Sequence, residues 1–96
     1  MALEQQIQNR IVKYLESIGC KVVKVIVANK KGIADIIVCY RGYYLEFEVK
    51  APGKRATKLQ ELQGKKTLEA GGFWQVVTYV DEVEECIDFI ERIKQC

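Results

Sequence analysis

The sequence predicts an α/β fold of the α+β kind, in which helices flank a mixed four-stranded sheet. Apolar residues recur at helical spacing in the first and last segments of the chain. Runs of β-branched and aromatic residues fill most of the middle, and turn residues separate them. One helical segment lies between the last two runs, which predicts a β-α-β crossover and therefore a parallel pair of strands. The predicted order is α-β-β-β-α-β-α, and residues 1–96 are expected to form a single domain.

The first third of the chain predicts a helix followed by two strands. Residues 3–18 carry an apolar stripe, and Gly19 is a natural helix terminator. Residues 21–28 are dense in β-branched side chains, which favours a strand. After a turn at 29–32, residues 33–40 form a second strand that is apolar on both faces, so we expect it to be central and covered on both sides.

The next segment predicts a hairpin and then a loop. Arg41 and Gly42 indicate a two-residue turn. Residues 43–50 alternate between apolar and polar side chains, which is typical of a strand with one buried face. Residues 51–56 contain the only proline of the chain and are predicted to be a loop.

The remainder predicts two helices around a fourth strand. Thr57 and Gln60 have the spacing of a capping box, so a helix is expected from Thr57 to about Ala70. Residues 73–80 are again β-branched and aromatic and predict a strand. Asp81 is expected to cap a last helix that runs nearly to the C-terminus.

Composition excludes several kinds of chemistry. The 96 residues include no histidine, which excludes Ser-His-Asp and Cys-His triads and the usual histidine-containing zinc sites. The cysteines at 20, 39, 86 and 96 have no CxxC spacing, so we expect reduced thiols that act as small hydrophobic residues rather than a zinc site. The polar N-terminus predicts no signal peptide, and no apolar run is long enough to span a bilayer. A cytoplasmic protein with no membrane partner is therefore expected.

Two carboxylates are predicted to face each other across the hairpin. With a two-residue turn, Tyr40 pairs with Tyr43, and the same register places Asp35 opposite Glu48. Opposed like charges destabilise a sheet unless a cation lies between them, and oxygen ligands suit Mg²⁺, Mn²⁺ or Ca²⁺. A three-residue turn would break this pairing. The alternative is a solvated strand face, but an unpaired aspartate in such an apolar run is costly.

Period two also places Glu46, Glu48 and Lys50 on one face of the third strand. Lys50 is thereby expected beside the carboxylate pair, where it could position a water molecule or bind a phosphate. Glu46 shares this face, and at an open sheet edge we expect it to be solvated.

The ordered motif Gly32-Ile33-Ala34-Asp35, then Glu48-Val49-Lys50, resembles the D…ExK signature of the PD-(D/E)XK nuclease superfamily, whose core has a similar element order. More narrowly, nearly the whole chain resembles the virus-type replication-repair nuclease (VRR-NUC) domain. One departure is Ala34, where the family often has proline. The matching residues outside the central motif are Glu4, Ile7, Gln8, Ile11, Tyr14, Leu15, Gly19, Gln60, Gly71 and Gly72.

The resemblance implies a role for each matching polar residue. Asp35 and Glu48 would ligate a metal ion, helped by the carbonyl of Val49. Lys50 would position the attacking water and the scissile phosphate. Glu4 would support the metal site, although an acid in a first helical turn is also favoured by the helix dipole alone.

Gln60 matches a glutamine that the family places in its active site, although Gln60 would also serve simply as the partner of Thr57 in a capping box. Glu46 matches no family position.

The near-neutral net charge of +2 hides a strong asymmetry along the chain. Residues 50–66 carry six basic side chains and one acid, whereas residues 81–96 carry six acids and two basic side chains. The basic stretch follows the ExK strand directly, which favours phosphate contacts over an ordinary charged helix face. The acidic last helix is expected to lie away from nucleic acid. The expected DNA-binding residues are Lys54, Arg55, Lys58 and Lys65.

The resemblance therefore implies a Mg²⁺-dependent DNA endonuclease, with Mn²⁺ as an alternative ion and no organic cofactor. Stand-alone members of the family are similar to Holliday junction resolvases, which implies a homodimer that cleaves branched or four-way DNA in a bacterial or phage-infected host cell. The alternatives are a less selective DNA endonuclease or exonuclease, and a non-catalytic DNA-binding module that retains the nuclease fold.

Overall fold

The computed structural model describes residues 2–94 and contains the helices and strands in the predicted order. One sheet has the strand order β1-β2-β3-β4. β2 is antiparallel to both of its neighbours, β1 and β3, and β4 runs parallel to β3. The mixed sheet and its single parallel pair are therefore confirmed. The elements are α1 (Leu3–Ser17), β1 (Lys21–Lys24), β2 (Ile36–Tyr40), β3 (Tyr43–Val49), α2 (Lys58–Glu69), β4 (Phe73–Val77) and α3 (Val80–Lys94).

The β2–β3 hairpin turns in two residues, as predicted. Arg41 and Gly42 both have positive φ, at 49° and 90°, which is the backbone of a type I′ turn and matches the twist of the flanking strands. Tyr40 consequently pairs with Tyr43, and the register continues to Ile36 opposite Phe47. This register decides which residues of β3 share a face with which residues of β2.

One face of the sheet carries the main hydrophobic core, which α1 and α3 cover. Leu45, Phe47 and Val49 point into it from β3, and all three are buried. Truncation of a fully buried phenylalanine such as Phe47 to alanine typically costs about 3–5 kcal/mol. The helices contribute Ile7, Ile11, Leu15, Val83, Ile87 and Ile90, and the other strands contribute Ile36, Val38, Tyr40 and Val77.

The opposite face is covered only in part. Helix α2 lies over β3 and β4, and Gly64 allows its close approach, since a Cβ at this position would lie 2.2 Å from the Trp74 ring. Over β1 and β2 this face stays open, so that Val23 and Cys39 are exposed. The central position of β2 is therefore confirmed, but the prediction that both its faces are covered is wrong.

Strand ends differ from the predicted ones because pairing stops earlier than the β-branched pattern does. Pairing of β1 with β2 ends at Lys24 opposite Ile36, although β-branched residues continue beyond Lys24. Residues 25–35 leave the sheet and form one long loop, which we call the β1–β2 loop. A strand therefore ends where its pairing with a neighbouring strand ends, even when the residues that follow still have high β-propensity.

The start of α3 also differs from the prediction. The helix begins at Val80, so Asp81 lies inside its first turn and is not the cap. Glu82 instead accepts hydrogen bonds from the backbone N–H groups of Thr78 and Tyr79, at 2.7 and 2.9 Å. The longer glutamate side chain reaches back to these donors. By contrast, the predicted Thr57–Gln60 capping box at α2 is present in both of its hydrogen bonds.

The described cysteines are free thiols. Burial raises the pKa of Cys20 and Cys86, which keeps both protonated and suits the predicted role of small hydrophobic residues. Cys39 departs from the prediction because it is exposed on the uncovered sheet face. Cys96 lies outside the described residues. Within residues 2–94, no helix has the length and apolar character that crossing a membrane requires.

Candidate active site

Asp35 lies at the point where β2 leaves the sheet. The last backbone pair of the hairpin is Ile36 with Phe47, and beyond it the Asp35 carboxylate accepts a hydrogen bond from the backbone N–H of Val49 at 2.8 Å. The side chain thus supplies the acceptor that a longer β2 would have provided from its backbone. This places the Asp35 carboxylate against the C-terminal end of β3, next to Glu48.

Glu48 is a buried carboxylate with an unsatisfied oxygen. Its residue is only 2% exposed, and its Oε1 has no hydrogen-bond partner in the described structure. Burial, together with the neighbouring Asp35 carboxylate, raises the pKa of Glu48 to about 8, and the opposing effect of Lys50 is smaller. Near neutral pH this carboxyl group therefore holds a proton that a bound cation would displace.

Lys50 shares the face of Glu48, as the alternation predicts. Its Nζ lies 3.7 Å from Glu48 Oε2, and its side chain is 15% exposed. The backbone N–H of Lys50 donates to the carbonyl of Val77 at 3.0 Å, which joins the end of β3 to the end of β4. An ammonium group is therefore fixed beside the carboxylate pair while it keeps access to solvent.

Glu4 reaches the same segment from another element. In the first turn of α1, its Oε2 accepts a hydrogen bond from the backbone N–H of Ala51 at 3.0 Å. This contact connects the N-terminus of α1 to the residue that follows Lys50. The structure therefore brings Glu4 to the end of β3, where it holds the backbone next to the predicted catalytic lysine.

Gln60 lies at the start of α2, and its Oε1 accepts from the backbone N–H of Thr57 at 2.8 Å. The capping role considered from the sequence is thus present. The neighbouring Leu59 packs against Gly32, where an added Cβ would lie 2.7 Å from the Leu59 carbonyl oxygen. Gly32 has φ of +83°, which other residues adopt only with strain. The chain that leads into Asp35 is therefore pressed against the first turn of α2.

The donor set fits a hard divalent cation. Within residues 2–94, no group of three Cys, Asp or Glu side chains lies close enough together to hold an ion, so a cation here would also need ligands that are not side chains. Asp35 and Glu48 supply two carboxylates, and the carbonyl of Val49 lies between Glu48 and Lys50 in the chain. Mg²⁺ commonly binds through one or two carboxylates and takes its other ligands from water and substrate phosphate. The unpartnered Oε1 of Glu48 is the atom in this structure that most needs such a ligand.

The predicted DNA-binding residues are all exposed. Lys54 and Arg55 lie in the loop after β3, where they border an open hollow of about 340 Å³ that Trp74 also lines. Lys58 and Lys65 lie on α2, seven residues apart and hence on one side of the helix. These basic groups occupy the loop and helix that follow the Lys50 end of β3.

Glu46 differs from the prediction, since it is buried rather than solvated. Its carboxylate accepts a hydrogen bond from the Thr67 hydroxyl of α2 at 2.8 Å and another from the Tyr44 hydroxyl. Burial and the hydrogen bond to Glu46 raise the pKa of Tyr44 to about 12. The sequence shows the alternation of β3 but does not show that α2 covers this part of the strand.

The fold matches that of a solved structure described as a VRR_NUC domain, with a TM-score of 0.79. The two chains are 22% identical, and the match covers 92% of this chain and 97% of the other. The sequence matches no protein-family model and no curated protein. The likeness shows that this chain has the fold of a VRR_NUC domain, and the predicted nuclease-like core is thereby confirmed at the level of the fold.

Proposed function

We propose that this protein is a Mg²⁺-dependent DNA endonuclease that hydrolyses phosphodiester bonds. The single observation that carries the proposal is the Asp35–Glu48 pair, in which Glu48 is buried, its Oε1 has no hydrogen-bond partner, and Lys50 Nζ lies 3.7 Å from its Oε2. A purely structural sheet would not keep this arrangement, because a buried unsatisfied carboxylate destabilises the protein. The likeness to a VRR_NUC domain supports the same interpretation.

Asp35 and Glu48, with the carbonyl of Val49, would hold the cation. Bound Mg²⁺ supplies Lewis-acid stabilisation of the charge that develops on the phosphate during hydrolysis. The hydrogen bond from the Val49 N–H to Oδ2 of Asp35 would hold this carboxylate in place for metal binding.

Lys50 would donate hydrogen bonds to a phosphate oxygen and to the attacking water. The Lys50 backbone is held by its hydrogen bond to Val77, and the ammonium lies beside Glu48. The side chain therefore loses little conformational freedom when the substrate binds. Glu4 acts on this arrangement through the backbone of Ala51 and is therefore a positioning residue.

The exposed basic side chains after β3 would contact the phosphate backbone near the scissile bond. Such contacts are salt-dependent and do not depend on base sequence. A domain of this size offers little surface to a DNA duplex, so we propose that two copies related by a two-fold axis present two sites to branched or four-way DNA.

A cleavage assay on four-way, flap and linear DNA, with and without Mg²⁺, tests the proposal. We expect Mg²⁺-dependent cleavage that is fastest on branched substrates, and loss of cleavage in Asp35→Asn while DNA binding is retained. Asp88→Asn, which makes the same chemical change at an exposed position of α3, serves as the matched control and should cleave like the wild type.

Different outcomes contradict different parts of the proposal. Cleavage by Asp35→Asn at the wild-type rate would refute the site. Equal cleavage of linear and four-way DNA by a monomer would support the less selective nuclease instead. DNA binding without cleavage under any divalent cation would leave only a DNA-binding module with this fold.

A further inference from the structure

The tip of the β1–β2 loop carries the most exposed large apolar side chains in residues 2–94. Ile26 is 85% exposed and Val27 is 86% exposed, whereas the next, Tyr79, is 59% exposed. All residues from 26 to 31 are exposed, and Ile26 and Val27 border an open hollow that Ile37 and Tyr44 also line. The two adjacent β-branched side chains make a small apolar patch on the loop, which a partner would bury.

The loop is held beside the candidate active site at both of its ends. At its start, the backbone N–H of Val25 donates to the carbonyl of Asp35 at 2.8 Å. At its end, Gly32 is pressed against the first turn of α2. Because the chain advances at most about 3.5 Å per residue, Val27 lies within about 12 Å of the Asp35 carbonyl oxygen. The tip is thus a few base steps from a phosphate bound at Asp35.

The charge around the tip favours nucleic acid over a second copy of the chain. Residues 21–34 contain four lysines and no acid, and Lys30 and Lys31 are exposed directly after the apolar tip. The same loop on a two-fold partner would bring these like charges together. Two side chains are also far too little surface for a stable dimer, which needs about 800 Å² from each partner.

We propose that Ile26 and Val27 form a wedge that inserts between base steps at the branch point of the DNA substrate, while Lys30 and Lys31 contact the adjacent phosphates. This inference rests on the proposed nuclease function and extends it to substrate choice. Apolar side chains of this kind enter between bases and unstack them at a cost of a few kcal/mol per step. Bases at a branch are already less well stacked, so the insertion costs less there than in a continuous duplex.

The test is the fluorescence of 2-aminopurine placed at the branch of a four-way DNA, measured without divalent cation so that no cleavage occurs. The variant is Ile26→Ser combined with Val27→Ser, which leaves charge unchanged and alters only exposed side chains. Ile26→Leu with Val27→Leu keeps the wedge apolar, and Ile93→Ser removes an exposed isoleucine from the acidic helix α3.

The wild type is expected to raise the fluorescence on binding, and the serine variant to leave it unchanged. We expect the serine variant to bind four-way DNA at least about tenfold more weakly but linear duplex as the wild type does. The leucine variant and Ile93→Ser should behave like the wild type in both measurements.

Three results would overturn the wedge. In the first, the serine variant unstacks the branch as well as the wild type does. In the second, light scattering shows that the serine variant has a different oligomeric state from the wild type, which would assign the tip to contact with a second copy of the chain. In the third case the metal-free wild type binds branched DNA without any fluorescence change and yet cleaves that DNA once Mg²⁺ is added, and then only the wedge fails. A wild type that neither binds nor cleaves branched DNA refutes the proposed function itself.

Discussion

Two buried carboxylates on one face of β3 differ in their surroundings. Glu46 and Glu48 are two residues apart and are 7% and 2% exposed. Glu46 receives hydrogen bonds from the hydroxyls of Tyr44 and Thr67, whereas Glu48 has an oxygen with no partner and a pKa raised to about 8. Glu46 joins α2 to the sheet. Glu48 is poised to bind something that the polypeptide does not supply.

The difference teaches how to separate a structural acid from a candidate metal ligand where the sequence pattern does not distinguish them. Burial removes the hydrating water from both carboxylates. Protein donors replace that water at both oxygens of Glu46 but not at Oε1 of Glu48. An oxygen left without a donor at the end of a strand, beside a second carboxylate and a lysine, is what a cation site requires before its ion is bound.

The largest expected effect comes from replacing Glu48 with glutamine. The same replacement at Glu46 is the comparison. Glu48→Gln should lower the rate of Mg²⁺-dependent DNA cleavage by about a thousandfold, because the amide cannot act as an anionic ligand. Glu46→Gln should keep cleavage within about tenfold of the wild type, since the amide oxygen still accepts a hydrogen bond from one hydroxyl and the amide NH₂ group can donate to the oxygen of the other. Single-turnover cleavage of four-way DNA measures both rates. Equal losses in the two variants would erase the distinction between the two acids.

A second expected effect concerns stability and pH in the absence of divalent cations. The folded-state pKa of Glu48, at about 8, lies above the ordinary value of 4.5. Between these values the folded protein holds a proton that the unfolded chain has lost, so the free energy of unfolding falls as pH rises, by at most about 1.4 kcal/mol per pH unit. Urea denaturation across this range, with a chelator present, measures the slope.

Glu48→Gln removes the titrating group, so its unfolding free energy should change less with pH and should exceed that of the wild type near pH 8. An unchanged slope in this variant would show that the buried carboxyl is not the source of the pH dependence.

The smallest expected effect tests the satisfied acid. Thr67→Val removes one of the two hydroxyl donors to Glu46 and keeps the side-chain shape, so the free energy of unfolding should fall by about 1–2 kcal/mol. Cleavage should be unaffected, because the Thr67 hydroxyl donates to the structural acid and not to Glu48. Urea denaturation measures the loss.

Thr67→Ser is the matched control, because it keeps the hydroxyl donor and removes only a methyl group. The serine variant should retain the hydrogen bond to Glu46 and be more stable than the valine variant. A valine variant as stable as the wild type would show that the hydroxyl contributes nothing to holding Glu46.

The sequence predicts the proximity of Asp35 and Glu48 better than it predicts the limits of the sheet. The Arg41–Gly42 turn defines the hairpin register, and that register places Asp35 beside Glu48 because side chains alternate along paired strands. The burial of Glu46 was not predictable, since it depends on where α2 packs and not on the pattern of β3. The end of β1 at Lys24 was also missed, because pairing with β2 and not β-propensity ends the strand.

Binding of Mn²⁺ to the metal-free protein, followed by electron paramagnetic resonance, tests the central claim most directly. Mn²⁺ takes the same oxygen ligands as Mg²⁺ and reports binding without any DNA. We predict that the wild type and Glu46→Gln each bind a Mn²⁺ ion, more tightly as pH rises toward 8, and that Glu48→Gln loses this binding. Binding by Glu48→Gln equal to that of the wild type would contradict the assignment of Glu48 as a metal ligand.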